Sequence, residues 1–271
     1  MKHLTRTLAV VAVVGLAAAG CTKGLDDADG GADNGTTIKI GFVSPQTGPL
    51  AGFGESDTYV IKAMTEHFKA NPPKIGDKTY EVEIVTKDAQ SDSKRAGEVA
   101  AELINTDGVG VVLASGTPDI VNPVADQCEA NATPCVTTVA PWQPYYLWRG
   151  GTPEKGFDWT YYFFWGLEDV AATYSDMWGQ VETTKKVSGL FPNDPDGQAW
   201  SDAMPGMVKD GGYTVSNPGL YTNGSQDFSA QISAFKGSGA DILTGVPIPP
   251  DFTTFWNQAR QQGYSPKVAT I

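Results

Sequence analysis

Residues 93–117 read SKRAGEVAAELINTDGVGVVLASGT, and the periodicity of this stretch decides the fold. Ala96, Val99, Ala100, Leu103 and Ile104 fall at i, i+3, i+4, i+7 and i+8, which lines one face of a helix opened by Ser93. Val109 to Leu113 is then a continuous apolar run, as expected for a parallel strand buried on both faces. The same alternation extends upstream. Residues 38–43 form a strand followed by a Gly/Pro loop to Gly54. Val60, Ile61, Met64 and Phe68 share one helical face, and 80–85 alternate as a strand. Downstream, a helix over 119–131 and a strand over 134–138 follow.

After a Trp-, Tyr-, Gly- and Pro-rich loop (140–160) the alternation restarts. Strands fall near 161–165, 186–191, 213–215, 241–245 and 267–271, with helices near 168–179, 197–209, 227–236 and 251–262. Phe252, Phe255, Trp256 and Ala259 make the buried stripe of the last helix. Repeated βαβ units with right-handed crossovers give parallel sheets covered by helices. Two such runs split by an irregular segment predict an α/β protein of two lobes, 38–145 and 146–271. Ligands bind such sheets at the carboxyl ends of the strands, so the loops of interest are 44–54, 114–118, 139–143, 191–197 and 246–250.

The N-terminus is an address. Lys2 and Arg6 precede an apolar run from Leu8 to Ala19, too short for a membrane span of roughly 20 residues but suited to a secretory signal. Ala18-Ala19-Gly20-Cys21 resembles the lipobox of bacterial lipoproteins, with Ala18 where Leu is usual. The expectation is a signal peptide over 1–20, Cys21 as lipid anchor, a flexible tether over 21–37, and a protein held to the cell membrane from outside. The alternative is an ordinary signal peptide cut nearby, with Cys21 incidental. The tether's Gly, Asp and Thr favour solvated chain, and its aspartates lack the spacing of a calcium loop.

Composition removes several function classes. Nineteen Lys+Arg against 31 Asp+Glu give a formal charge of −12, which argues against nucleic-acid binding. Apolar residues make up 41% and charged residues 18%, a globular balance. With only His3 and His67, any Ser-His-Asp triad, Cys-His dyad or multi-His metal site would have to use His67, which reads as a surface residue of a helix. Neither a GxxxxGK[ST] loop nor a GxSxG elbow is present. No enzyme, metal or cofactor is expected. Cys128 and Cys135, seven apart on a helix and the next strand, are a disulfide candidate outside the cytoplasm.

Several of these loops carry a family resemblance. IGFVSPQTGPLAGFG (40–54), the Asp88 turn, AELINTDGVGVVLASGT (101–117), ATPCVTTVAPW (132–142), LFPNDPDGQAW (190–200) and GSQDFSAQISAFKGSGADILTG (224–245) resemble, in order, the periplasmic substrate-binding proteins of branched-chain amino-acid ABC transporters. The resemblance implies a type I periplasmic binding protein whose two Rossmann-like lobes close on a small ligand and deliver it to permease and ATPase subunits. It also implies that members continue past Ile271, so the sequence is expected to be a fragment whose missing part completes lobe 1.

The resemblance also nominates site residues. Phe53 would meet the ligand side chain. Ser115, Gly116 and Thr117 offer hydroxyls and backbone N–H groups at a helix start, suited to a carboxylate, although Thr117 or Asp119 also suits a helix cap. The family uses a backbone carbonyl near Val139 and Ala140 and often a nearby Ser or Thr, where this chain has Pro141-Trp142; Trp142 is then a stacking wall or a hinge plug. Trp165 is a candidate wall of lobe 2. Asp196-Gly197 stands where many relatives carry Tyr-Gly, in a DPDG turn signal. The family's acidic residue for the ligand ammonium would fall beyond Ile271. Trp142, Trp148, Trp159 and Trp165 suggest an aromatic-lined mouth. No Arg or Lys lies in any of the five loops, so an anionic ligand group would be held by neutral donors.

The expected function is an extracytoplasmic solute-binding lipoprotein for an ABC importer, its ligand an amino acid or a related carboxylate or amide. A ligand-sensing module of the same fold in a signalling system is the alternative. An extracellular enzyme would need a nucleophile-base pair this sequence does not offer.

Overall fold

The computed structural model describes residues 36–271; the expected signal peptide, Cys21 and the tether up to residue 35 lie outside the described residues. The first sheet is built from β1 (Thr37–Ser44), β4 (Glu81–Asp88), β5 (Val111–Ser115), β6 (Cys135–Thr138) and β7 (Thr160–Tyr162). All its pairings are parallel, and the order is β4-β1-β5-β6-β7. A small antiparallel hairpin, β2 (Lys74–Ile75) with β3 (Lys78–Thr79), was not foreseen from the sequence. Helices α1 (Ala51–Ala70), α2 (Ser93–Asn105), α3 (Pro118–Ala130) and the short α4 (Trp142–Tyr146) connect the strands.

Helix α2 carries the expected stripe: Ala96, Val99, Ala100 and Leu103 are fully buried. It starts where it does because the Asp92 carboxylate accepts the Arg95 N–H at 2.7 Å, satisfying one of the first-turn donors. The strand after it departs from expectation. Val112 is fully buried, but Val111 and Leu113 on the other face are only half-buried. Helix α1 lies over that face without sealing it. Leu113, Ile40, Phe42 and Ile84 from the sheet form an apolar groove with Val60, Ile61, Met64 and Phe68 of α1.

The second sheet is also parallel, in the order β11-β10-β8-β9, from β8 (Lys186–Leu190), β9 (Thr214–Ser216), β10 (Ile242–Gly245) and β11 (Val268–Thr270). Helices α5 (Leu167–Gly179), α6 (Pro195–Met207), α7 (Ser229–Ser238) and α8 (Pro249–Gln261) surround it. Its core holds Trp178, Phe191, Met204 and Ile242 on one side and Phe228, Ile232, Phe235 and Phe255 on the other. The stripe of α8 is buried at Phe255 and Ala259 and partly buried at Phe252 and Trp256.

The strand expected near 161–165 is shorter and belongs to the first sheet. Cys135 pairs with Thr160 and Thr137 with Tyr162, so the chain crosses between sheets after Tyr162, later than the 145/146 division expected. Long-range contacts set this. The Glu129 carboxylate on α3 accepts N–H bonds from Trp159 and Thr160, both at 2.9 Å, and the Thr160 hydroxyl at 3.0 Å. Arg149 adds a second tie: its side chain is 2% exposed, meets Asp126 at 2.7 Å and lies over the Phe157 ring. The candidate disulfide is not formed. Cys128 and Cys135 are free, fully buried thiols, and the neighbouring Cys128 sulfur together with burial pushes the Cys135 thiol far up.

In chain order the first sheet runs 2-1-3-4-5 and the second repeats 2-1-3-4, which puts a topological switch point between β1 and β5 and another between β8 and β10.

Candidate functional site

The carboxyl ends of the two switch points face each other across a cavity of about 570 Å³. All five loops contribute to its wall: Phe53, Thr117, Val139 and Pro141 from the first lobe, Asp194, Asp196 and the run from Val246 to Pro249 from the second. The lobes touch at its edge, where Ile248, 5% exposed, packs into the core cluster of the first lobe.

Each wall is positioned by its own local chemistry. The loop after β1 is stapled by Asp88 at the end of β4. One carboxylate oxygen accepts N–H bonds from Gln46 at 2.9 Å, Thr47 at 3.2 Å and Gln90 at 2.8 Å; the other accepts the Thr47 hydroxyl at 2.6 Å. Burial pushes this carboxyl up, but the bonds from Thr47, Gln90 and Gln46 together hold it below the usual range. Helix α1 begins at Ala51, earlier than the loop to Gly54 predicted, so Phe53 sits in a first helical turn. That turn rests on the Pro45 carbonyl, and a Cβ at Gly54 would lie 2.5 Å from the oxygen.

In the second lobe the DPDG turn is a helix start. Asp194 caps α6 by accepting the Gly197 N–H at 2.8 Å, and its other oxygen accepts from Asn223 at 2.7 Å. Pro195 occupies the first helical position, where its missing N–H costs nothing. A Cβ at Gly197 would collide with the Pro192 carbonyl oxygen, so only glycine lets α6 start this close to β8. Asp196 follows in the first turn and reaches the cavity.

Three carboxylates, one from the first lobe and two from the second, dominate the local field. Asp119, in the first turn of α3, is pushed up to about 6 by burial and by the charge of Asp194. Asp196 is pushed up to about 7 by burial and then by the charges of Asp194 and Asp119; the nearby Trp200 indole N–H offsets this only in part. Asp196 Oδ1 has no solvent access and no hydrogen-bond partner in the protein, and the Trp200 Nε1 and Thr117 Oγ1 atoms are in the same condition. Among the described residues no His, Cys, Asp and Glu cluster is arranged to hold a metal ion.

Of the residues singled out from sequence, Phe53, Thr117, Val139, Trp165 and Asp196 line the cavity, and Ser115, Gly116, Ala140 and Trp142 do not. Ser115 is 1% exposed and turned into the first lobe near Asp57, whose carboxylate accepts the Ser44 hydroxyl at 2.7 Å. Ala140 is buried, and its carbonyl accepts the Tyr162 hydroxyl. The Trp142 indole donates to Glu168 at 2.8 Å, and the neighbouring Gln143 amide also bonds Glu168, tying α4 to α5 where the chain changes sheets. Sequence reasoning missed Tyr174, Trp200 and Phe252 on the wall, because helical aromatics look like core stripe, and Phe164, which it placed inside a strand; it read Asp119, whose charge reaches the site from beside the wall, only as a possible cap.

A sequence model described as "Periplasmic binding protein" matches residues 37–271, and the chain belongs to that family. Leu/Ile/Val-binding protein homolog 3 of Brucella melitensis is 28% identical over 216 residues, covering 76% of this chain and 53% of the relative. The crystal structure of a leucine-binding protein from Thermotoga maritima superposes with a TM-score of 0.71 at 22% identity, over 86% of this chain and 63% of that one. An ABC-transporter solute-binding protein from Rhodopseudomonas palustris, solved in complex with 3,4-dihydroxybenzoic acid, gives 0.66 at 18% identity, over 86% and 61%. The chain thus spans between half and two-thirds of the length of these relatives. The fold is that of type I periplasmic binding proteins: α/β, with parallel sheets. Proteins of this family bind small-molecule ligands outside the cytoplasm and work with ABC transporter components.

Proposed function

We propose that this chain is the solute-binding component of an ABC importer, held outside the cell membrane by a lipid on Cys21, and that it binds an amino acid or a related carboxylate or amide between its lobes. The observation that carries the reading is the cavity at the facing switch points, where an aromatic and proline wall surrounds a few polar groups. Each lobe supplies part of the wall, so a ligand touching both stabilises their closed arrangement, the physical basis of hinge closure. It carries solute and performs no chemistry. A thermal-shift panel of amino acids, their amides and the corresponding carboxylates tests this directly. One class should raise the melting temperature in proportion to the logarithm of its concentration, and a panel without effect would remove solute binding.

The anchor has its own test. Among the described residues no helix is long and apolar enough to cross a membrane. On this reading Cys21→Ala should move the protein from the membrane fraction to the medium, since a lipid chain is the attachment it provides. A mutant that remains membrane-bound on fractionation contradicts the anchor.

A further inference from the structure

The wall of the cavity is acidic and aromatic, with no basic side chain in it. Helix starts ordinarily favour anions, yet two of the helix starts at this cavity, those of α3 and α6, carry carboxylates of their own. Asp119 stands in the first turn of α3; Asp194 caps α6 and Asp196 follows it. Their mutual influence shows that they share one neighbourhood although they come from different lobes. An anionic head entering between them would meet like charge. Asp196 adds a second sign, because one of its oxygens is cut off from solvent and accepts no hydrogen bond from the protein. A buried carboxylate oxygen left in this state is costly, and a charged donor is the partner that relieves it most. Trp165, Trp200 and Phe252 line the same cavity, and aromatic rings attract organic cations.

We infer that the cleft takes its ligand by a protonated amine or quaternary ammonium head held at Asp194 and Asp196, with the charge of Asp119 behind them and an apolar body against the aromatic wall, and that a carboxylate on the ligand is not required. This rests on the cleft being the solute site and narrows the classes proposed above to those bearing an amine. The carboxylate that Ser115, Gly116 and Thr117 suggested from sequence is displaced from this role by Asp119 two residues further on. Asp196 then sets specificity, a charge standing where the family resemblance places a ring.

The test uses three probes with one body and different heads: 2-phenylethylamine, phenylalanine and 3-phenylpropanoate, titrated calorimetrically at pH 8 into the full chain. The amine should bind at least about tenfold more tightly than the carboxylate, as a charge-assisted hydrogen bond against a like-charge contact requires. Asp196→Asn and Asp119→Asn should each weaken the amine about tenfold or more while leaving the far-ultraviolet circular dichroism unchanged. A carboxylate that binds as tightly as the amine overturns this inference but leaves solute binding standing. An amine that does not bind also overturns it. If none of a wider panel of amines, amino acids and carboxylates binds, the solute-binding reading falls as well. Should either variant fold poorly, Asp196→Glu serves in its place: it should retain amine preference, and loss of that preference with the charge kept would overturn the assignment.

Discussion

Trp178→Ala should destabilise the protein by about 3–5 kcal/mol, the range for removing a buried tryptophan ring. The side chain is completely buried on α5, edge-on to Tyr213 at 5.0 Å and tilted against Tyr174 at 6.2 Å. Its indole N–H donates to the Thr270 hydroxyl at 3.1 Å, joining α5 to β11 at the edge of the second sheet. Truncation leaves a cavity and removes a partner from a buried hydroxyl, two costs that add. Urea unfolding should show a lower midpoint with an unchanged slope. Trp178→Phe keeps most of the ring contact and should lose only about 1–2 kcal/mol, chiefly the hydrogen bond. Equal losses in the two variants would show that the ring is not packed as described.

The second large effect has the opposite sign. Asp196→Asn should stabilise the protein at pH 8 by about 2–4 kcal/mol, since each tenfold gain in proton affinity on folding is worth about 1.4 kcal/mol. The carboxyl is near 3.8 when unfolded and about 7 in the fold, raised by burial and by Asp194 and Asp119, with the Trp200 N–H acting against them. The folded state therefore holds the proton more tightly. Wild-type stability should fall as pH rises from about 4 through 7, while the variant should lack most of this fall. At pH 4, where the wild-type carboxyl is protonated in the fold, the two should nearly coincide. A variant less stable than wild type at pH 8 would mean that Asp196 is paired within the protein. Stability gained together with amine affinity lost would mark Asp196 as kept for function at a cost to the fold.

These effects also show what a sequence reading reaches. The alternation of helical stripes and apolar runs was legible because it is local: the α2 face and the β5 run need no partner to be recognised. The carboxyl-end rule then pointed to five loops, each of which supplies cavity wall. What escaped was set at long range. The sheet to which β7 belongs is decided by Glu129 and Arg149, distant in the chain from what they hold. The half-open face of β5 depends on how α1 lies across it, which periodicity does not encode. Trp200 reads as a core residue because it is one, 3% exposed, yet it also walls the cavity. The field shared by Asp119 and Asp194 exists only because two helix starts from different lobes meet.

Solute bound between the facing switch points should leave its mark on hydrogen exchange in both lobes at once. The full chain would be compared without solute and with a saturating amount of whichever panel compound raises the melting temperature most. Exchange should slow in 45–53, 115–119, 139–142, 192–198 and 246–252 together, on both lobes, with little change in the β2–β3 hairpin or the outer face of α2. Protection confined to one lobe, or centred on the apolar groove beside α1, would contradict it.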